Sequence, residues 1–224
     1  MKEIIKLVDV KKSFKNSKEE ILLFENVNLS VSKGESVCIS GPSGAGKSTA
    51  LHIMGLLEEV SEGEVIVRGI NTNIVSQKEK AHLRRTFSFM FQNSYLFPSW
   101  SVMDNILFPL YISSSVTKEK KERAFELLER FCIANLSSSR SSYLSGGEKS
   151  RVSLIRALIN DADIIFADEP TGSLDQDNAH IVEDELFNLV KEYDKALVLV
   201  THSPSLRQRA EKVYRISDKT ITMI

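Results

Sequence analysis

GPSGAGKS, residues 41–48, lies between the apolar run ESVCIS, 35–40, and a stretch from Thr49 to Leu57 that reads as a helix. The octet satisfies G-x-x-x-x-G-K-[ST], and strand, glycine turn, helix is the order of elements that gives this pattern its meaning. Gly41, Gly44 and Gly46 let backbone approach an anion closely, and Pro42, Ser43, Ala45 and Thr49 complete the cradle. Lys47 supplies a point charge for β and γ oxygens, Ser48 a hydroxyl for Mg²⁺, and the helix behind them its positive end. The ligand implied is a nucleotide. The reaction is not named by this loop alone, because small-molecule kinases of about this length carry one too.

Outward from the loop, the last third of the chain alternates helices with short apolar strands. A helix from Glu148 to Ile159, the strand ADIIFAD (162–168), a helix from Ala179 to Val190 and the strand ALVLVTH (196–202) predict a mainly parallel sheet covered on both faces. Upstream, Lys2–Val10, ILLFENVNLSV (21–31), EVIVRG (64–69) and TFSFMFQ (86–92) read as strands. Residues 93–143 change character and form a helical insert. Within it Thr117 opens a helix with Glu119 in its first turn, and Ala124, Leu127, Leu128 and Phe131 line one face. The face KEKKER is solvated, and SSSRSS, 137–142, predicts a mobile connector. FQNSYLFPSWSVMDNILFPL shows no period, and its Tyr95, Leu96, Phe97 and Trp100 suit either a protein interface or packing of the insert onto the sheet.

The chain has 224 residues and a formal net charge of −1, so no strong field favours nucleic acid. MKEIIKLVDVKKSF interleaves charge with apolar residues and reads as neither a signal peptide nor an anchor, and no later run is long enough to span a membrane. Cys38 and Cys132, without CxxC spacing, read as reduced packing residues.

Two further motifs carry chemistry. In DIIFADEP, 163–170, Asp168 ends a buried strand, where an α/β sheet places its ligand groups, and suits Mg²⁺. Glu169 follows it and can orient an attacking water, which predicts hydrolysis. In LSGGE, 144–148, Ser145 offers a hydroxyl, Gly146 and Gly147 allow close backbone approach, and a helix N-terminus near Glu148 faces an anion. The same letters also describe a helix-capping turn with an acid at its third position.

GPSGAGKST, Gln92, LSGGE, IIFADEP, SLD at 173–175 and His202, in that order, resemble the nucleotide-binding subunit of ATP-binding cassette (ABC) proteins over essentially the whole chain. The resemblance implies a P-loop NTPase of α/β class with a mainly parallel core, an antiparallel β subdomain and a small helical insert. The single domain 1–224 then divides into a core of 1–92 and 144–224 and a helical subdomain of 93–143. It implies ATP and Mg²⁺ as ligands and an adenine stacked on Phe14. Ser48, Gln92 and Asp168 serve the metal, while Glu169, His202 and Gln92 serve catalysis. Ser173, Leu174 and Asp175 form the D-loop, and Leu144, Ser145, Gly146, Gly147 and Glu148 act in trans on the γ-phosphate of a second subunit. Glutamate at 148, where many relatives have glutamine, favours the helix dipole but repels a nearby phosphate.

The partners so implied are a second ATPase subunit, as homodimer or pseudo-symmetric dimer, and a separate transmembrane permease; nucleic acid is not among them. The place implied is the cytoplasmic face of a bacterial membrane. ADEPTGSLD and the brief insert look most like the branch that exports lipoproteins, macrolides or antimicrobial peptides, which includes a cell-division ATPase. Export is the first expectation. A mechanotransmitting ATPase acting on cell-wall or division machinery is the second, and a soluble ABC protein of translation or DNA repair is disfavoured by the single cassette and the lack of sustained heptads.

Overall fold

The computed structural model describes residues 2–15, 19–172 and 174–224; Ser173, one of the three expected D-loop residues, lies outside the described residues. The elements run β1 (Glu3–Lys15), β2 (Glu20–Ser32), β3 (Ser36–Ser40), α1 (Lys47–Met54), β4 (Glu62–Val67), β5 (Ile70–Asn71), α2 (Gln77–Arg84) and β6 (Phe87–Met90). They continue with α3 (Val102–Ile112), α4 (Lys118–Arg130), α5 (Gly146–Ile159), β7 (Ile164–Asp168), α6 (Gln176–Glu192), β8 (Ala196–Val200), α7 (Pro204–Arg209), β9 (Lys212–Ser217) and β10 (Thr220–Met223).

Among the described residues there are two sheets, one ordered β2-β1-β4-β5 and the other β10-β9-β3-β8-β7-β6. The first is antiparallel. In the second, β9, β3, β8, β7 and β6 run parallel, and β10 turns back on β9 as a hairpin. Strand alternation explains why the parallel strands read as unbroken apolar runs. On β8, Ala196, Val198 and Val200 face the apolar cluster shared with the antiparallel sheet and α1, while Leu197 and Leu199 face the cluster under α5 and α6. Both faces are therefore dry. Burying such side chains contributes roughly 1.5–3 kcal/mol each, and a one-residue slip would exchange the two sets between cores of different shape.

The insert is held by its own caps. Thr117 Oγ1 accepts from the Lys120 N–H to start α4, and Ala124, Leu127, Leu128 and Phe131 are buried. Cys38 is buried as expected, and burial pushes its thiol up to about 12, which keeps it unreactive. Cys132 is exposed, contrary to its reading as a packing residue. It would continue the inward row 124, 128, 132, but α4 stops at Arg130 and Cys132 takes φ 55°, so Ile133 fills the core instead.

SSSRSS is likewise not a loose connector. Ser139 and Ser137 carbonyls accept from the Val102 and Met103 N–H groups, Ser141 Oγ donates to the Phe97 carbonyl at 2.7 Å, and Ser141 is buried. Its small side chains permit this close lamination onto α3. The stretch read as non-periodic contains α3, capped by Ser101 and continuous through Pro109. The short helix α2 and the β9–β10 hairpin were not foreseen either. Helices α1, α5 and α6 each begin a few residues before their expected starts, at Lys47, Gly146 and Gln176.

Candidate active site

The carboxyl ends of β3, β6, β7 and β8 converge on a cleft of about 640 Å³. Gly41 leaves β3 so close to β9 that an added Cβ would lie 2.9 Å from the Ile216 carbonyl oxygen. Gly44, at φ 78°, has nothing within 4 Å of a built Cβ and exposes its backbone to the cleft. Pro42 and Ala45 close the turn through Ala45 N–H to the Pro42 carbonyl at 3.3 Å. Ser43, Gly44, Gly46, Lys47, Ser48 and Thr49 all line the cleft.

Lys47 is buried, and its ammonium donates to the Pro42 carbonyl at 2.9 Å and to His202 Nε2 at 3.1 Å. An ammonium only donates, so this Nε2 is the unprotonated nitrogen. Of the three ammonium hydrogens, these two contacts leave one for a ligand. Ser48 Oγ donates to Asp168 Oδ1 at 3.1 Å, which brings the two expected Mg²⁺ oxygens together across α1 and β7.

Glu169 adopts φ 45°, a conformation uncommon outside glycine, while its N–H donates to the Val200 carbonyl at 2.9 Å. The turn swings its carboxylate beneath β8. Oε2 accepts from Thr201 Oγ1 and from the His202 N–H, both at 3.3 Å. Oε1 lies 3.5 Å from His202 Nε2, two acceptors in contact, and is buried without a hydrogen-bond partner. Since buried polar atoms are rarely left unpaired, this oxygen fits a donor delivered with the ligand. Among the described residues no three His, Cys, Asp or Glu side chains form a metal cluster. The fit is to Mg²⁺, which is commonly held by one or two protein oxygens together with substrate phosphates.

Phe14 also lines the cleft and is 43% exposed, while the Lys12 ammonium sits 4.6 Å from its ring centroid. Lys12 is itself held by Glu58 Oε1 at 2.6 Å and by the Glu59 carbonyl at 2.8 Å. Sequence reading named Phe14 but missed Lys12, whose burial on a charged stretch left no local signal. Gln92 borders the cleft on one side and, on the other, a cavity of about 320 Å³ that reaches Gly146 and Lys149.

Leu144, Ser145, Gly146, Gly147 and Glu148 do not line the nucleotide cleft. Leu144 is buried and anchors the turn. Ser145 is the N-cap of α5: its Oγ accepts from the Glu148 N–H at 3.3 Å, and the Glu148 carboxylate accepts from the Ser145 N–H at 2.7 Å. The acid at 148 is therefore folded back on its own helix start and occupies the Ser145 N–H. An added Cβ on Gly147 would meet the Asn178 side chain at 2.9 Å, and Asn178 Nδ2 donates to Asp175 Oδ2 at 2.7 Å. Asp175 caps α6 through the Asn178 N–H, so the turn at 147 rests on the first turn of α6 within one chain.

The family model described as ABC transporter matches residues 24–172. The chain is 40% identical over 215 residues to the lipoprotein-releasing system ATP-binding protein LolD of Paramagnetospirillum magneticum, covering 96% of this chain and 95% of that one. It is 37% identical to the protein of the same name in Treponema denticola, covering 96% of both. The solved dimeric ATP-binding cassette MJ0796, bound to ADP and phosphate in a post-hydrolysis state, superposes with a TM-score of 0.88 at 35% identity over 97% of this chain and 96% of that one. The phosphate loop, the paired Ser48 and Asp168 and the unpartnered Glu169 oxygen thus sit in a chain that belongs to the ABC transporter family, as an ATP-hydrolysing subunit.

Proposed function

We propose that this chain is the ATPase of a lipoprotein-releasing exporter and works as a head-to-tail pair beneath a separate permease at the cytoplasmic face of the membrane. One observation carries the docking part of that reading. A mostly apolar groove of about 400 Å³ lies beside the end of β6, lined by Phe89, Phe91, Tyr95, Phe97, Phe108 and Pro109 among others. Phe97 stacks on Trp100 at 4.5 Å between centroids and meets Phe108 edge-on, yet Tyr95 remains 67% exposed. The aromatics pack the insert and still leave an apolar face. Arg156 floors the groove by donating to the Ser94 and Tyr95 carbonyls, and burial lowers its pKa. Among the described residues no helix is long and apolar enough to cross a membrane.

In this reading the amides of Ser43, Gly44, Ala45, Gly46, Ser48 and Thr49 and the end of α1 hold the phosphates, and Lys47 keeps its remaining hydrogen for the γ oxygens. Phe14 stacks the adenine with Lys12 behind it. Ser48, Asp168 and Gln92 would hold Mg²⁺, which would supply positive charge to the phosphates. Glu169 Oε1 takes the proton of the attacking water, and His202, its Nε2 facing Lys47, positions the γ-phosphate. Ser145, Gly146 and Gly147 of the second subunit close over that phosphate. Its loss removes the contact that favours the closed pair.

The Glu169→Gln chain, tagged in its native cell and extracted gently with ATP and Mg²⁺, should co-purify with a polytopic membrane protein. Replacing Tyr95 and Trp100 by alanine should release it. Recovery of ribosomes, nucleic-acid enzymes or no membrane protein would overturn the exporter reading. A membrane partner tied to wall hydrolases, with no lipoprotein displaced, would replace it with the mechanotransmitting one.

A further inference from the structure

Helix α6 presents Val182, Leu186, Leu189 and Val190 to the core, all nearly inaccessible, and Glu183 is 3% exposed beside them. A carboxylate at that depth is costly unless its oxygens are satisfied. Here three hydroxyls satisfy it. Thr171 Oγ1 and Ser203 Oγ donate to Oε1 at 3.2 and 3.3 Å, and Ser205 Oγ donates to Oε2 at 2.9 Å. The donors come from two separate segments. Thr171 follows Glu169 by one turn of loop, and Ser203 directly follows His202.

The connection continues to Glu169. The Ser203 N–H donates to Thr201 Oγ1 at 2.9 Å, and Thr201 Oγ1 donates to Glu169 Oε2 at 3.3 Å. Both carboxylates line one cavity of about 340 Å³ behind the nucleotide cleft, together with Thr171, Thr201 and Ser203. Thr201 and the His202 N–H occupy Oε2, which leaves Oε1 as the oxygen turned free. We infer that Glu183 is a positioning residue for hydrolysis: it ties the segment after Glu169 to the loop carrying His202 and so fixes which oxygen of Glu169 faces the water. This rests on Glu169 being the base.

The geometry separates this role from substrate binding, because Glu183 touches neither the phosphate loop nor Phe14. Glu183→Leu keeps the apolar face of α6 and removes both acceptor oxygens, and with them all three hydrogen bonds. Phosphate release by the purified full chain at saturating ATP and Mg²⁺, read below a melting temperature lowered because three hydroxyls lose their acceptor, should fall about tenfold or more in kcat with KM for ATP within about twofold. A fall smaller than about fivefold, or a KM that rises in step with the loss of kcat, overturns the inference. If Glu183→Leu does not fold, Thr171→Val is read instead, since it deletes one bridging hydroxyl at constant shape. It should lower kcat about threefold or more at unchanged KM, and a kcat equal to wild type overturns the inference. A Glu169→Gln chain that still turns over would instead remove the base reading on which this one stands.

Discussion

Glu169→Gln should bind ATP as the wild type does and hydrolyse it about 10²- to 10⁴-fold more slowly, a loss of roughly 3–5 kcal/mol of transition-state stabilisation. The amide has nearly the volume of the carboxylate, so the turn at φ 45° and the bonds from Thr201 and the His202 N–H can persist. Only proton acceptance at Oε1 is lost. The contacts that close the pair are untouched, and the variant should therefore accumulate as an ATP-dependent dimer, read by light scattering at saturating ATP. Turnover within about tenfold of wild type would place the base elsewhere. Slow turnover without dimers would separate the base from the clamp.

Ser145→Arg should abolish ATP-dependent pairing and lower turnover by about 10²-fold or more while ATP affinity of the single chain stays within about twofold. In the proposed pair, the guanidinium would stand where backbone at the start of α5 approaches the partner's phosphate. Losing the cap also costs about 1 kcal/mol, so a melting curve is part of the measurement. Ser145→Ala provides the comparison, because it removes the cap without adding bulk. If the arginine variant pairs and turns over normally, the turn LSGGE serves α5 alone, as its capping box with Glu148 permits.

Much of this site was legible because its residues announce themselves locally. The phosphate loop needs glycines at fixed spacing, Asp168 and Glu169 end an apolar run, and α4 begins at a threonine with its acid in place and a face at 0, 3, 4 and 7. What escaped reading depends on residues distant in sequence. Glu183 takes its partners from segments 12, 20 and 22 positions away, and nothing in the helical pattern distinguishes it from a solvated acid. Lys12 is held by Glu58 and Glu59, which lie in the loop between α1 and β4. Helix α3 was hidden by Pro109 and clustered aromatics, although Ser101 with Asp104 three positions on was a usable start signal. The β9–β10 hairpin is too short to alternate convincingly, yet β9 presses on Gly41 and shapes the loop that decides the fold.

A cleft lined by its own phosphate loop, with residues 144–148 placed elsewhere, makes the unit of function different from the unit of inheritance. In the proposed head-to-tail pair, a chain carrying Lys47→Ala would spoil the site built on its own phosphate loop and leave its residues 144–148 sound for its partner's site. Mixed with the wild-type chain it would form pairs with one defective and one intact site, so a single mutant gene would alter the output of wild-type copies as well as its own.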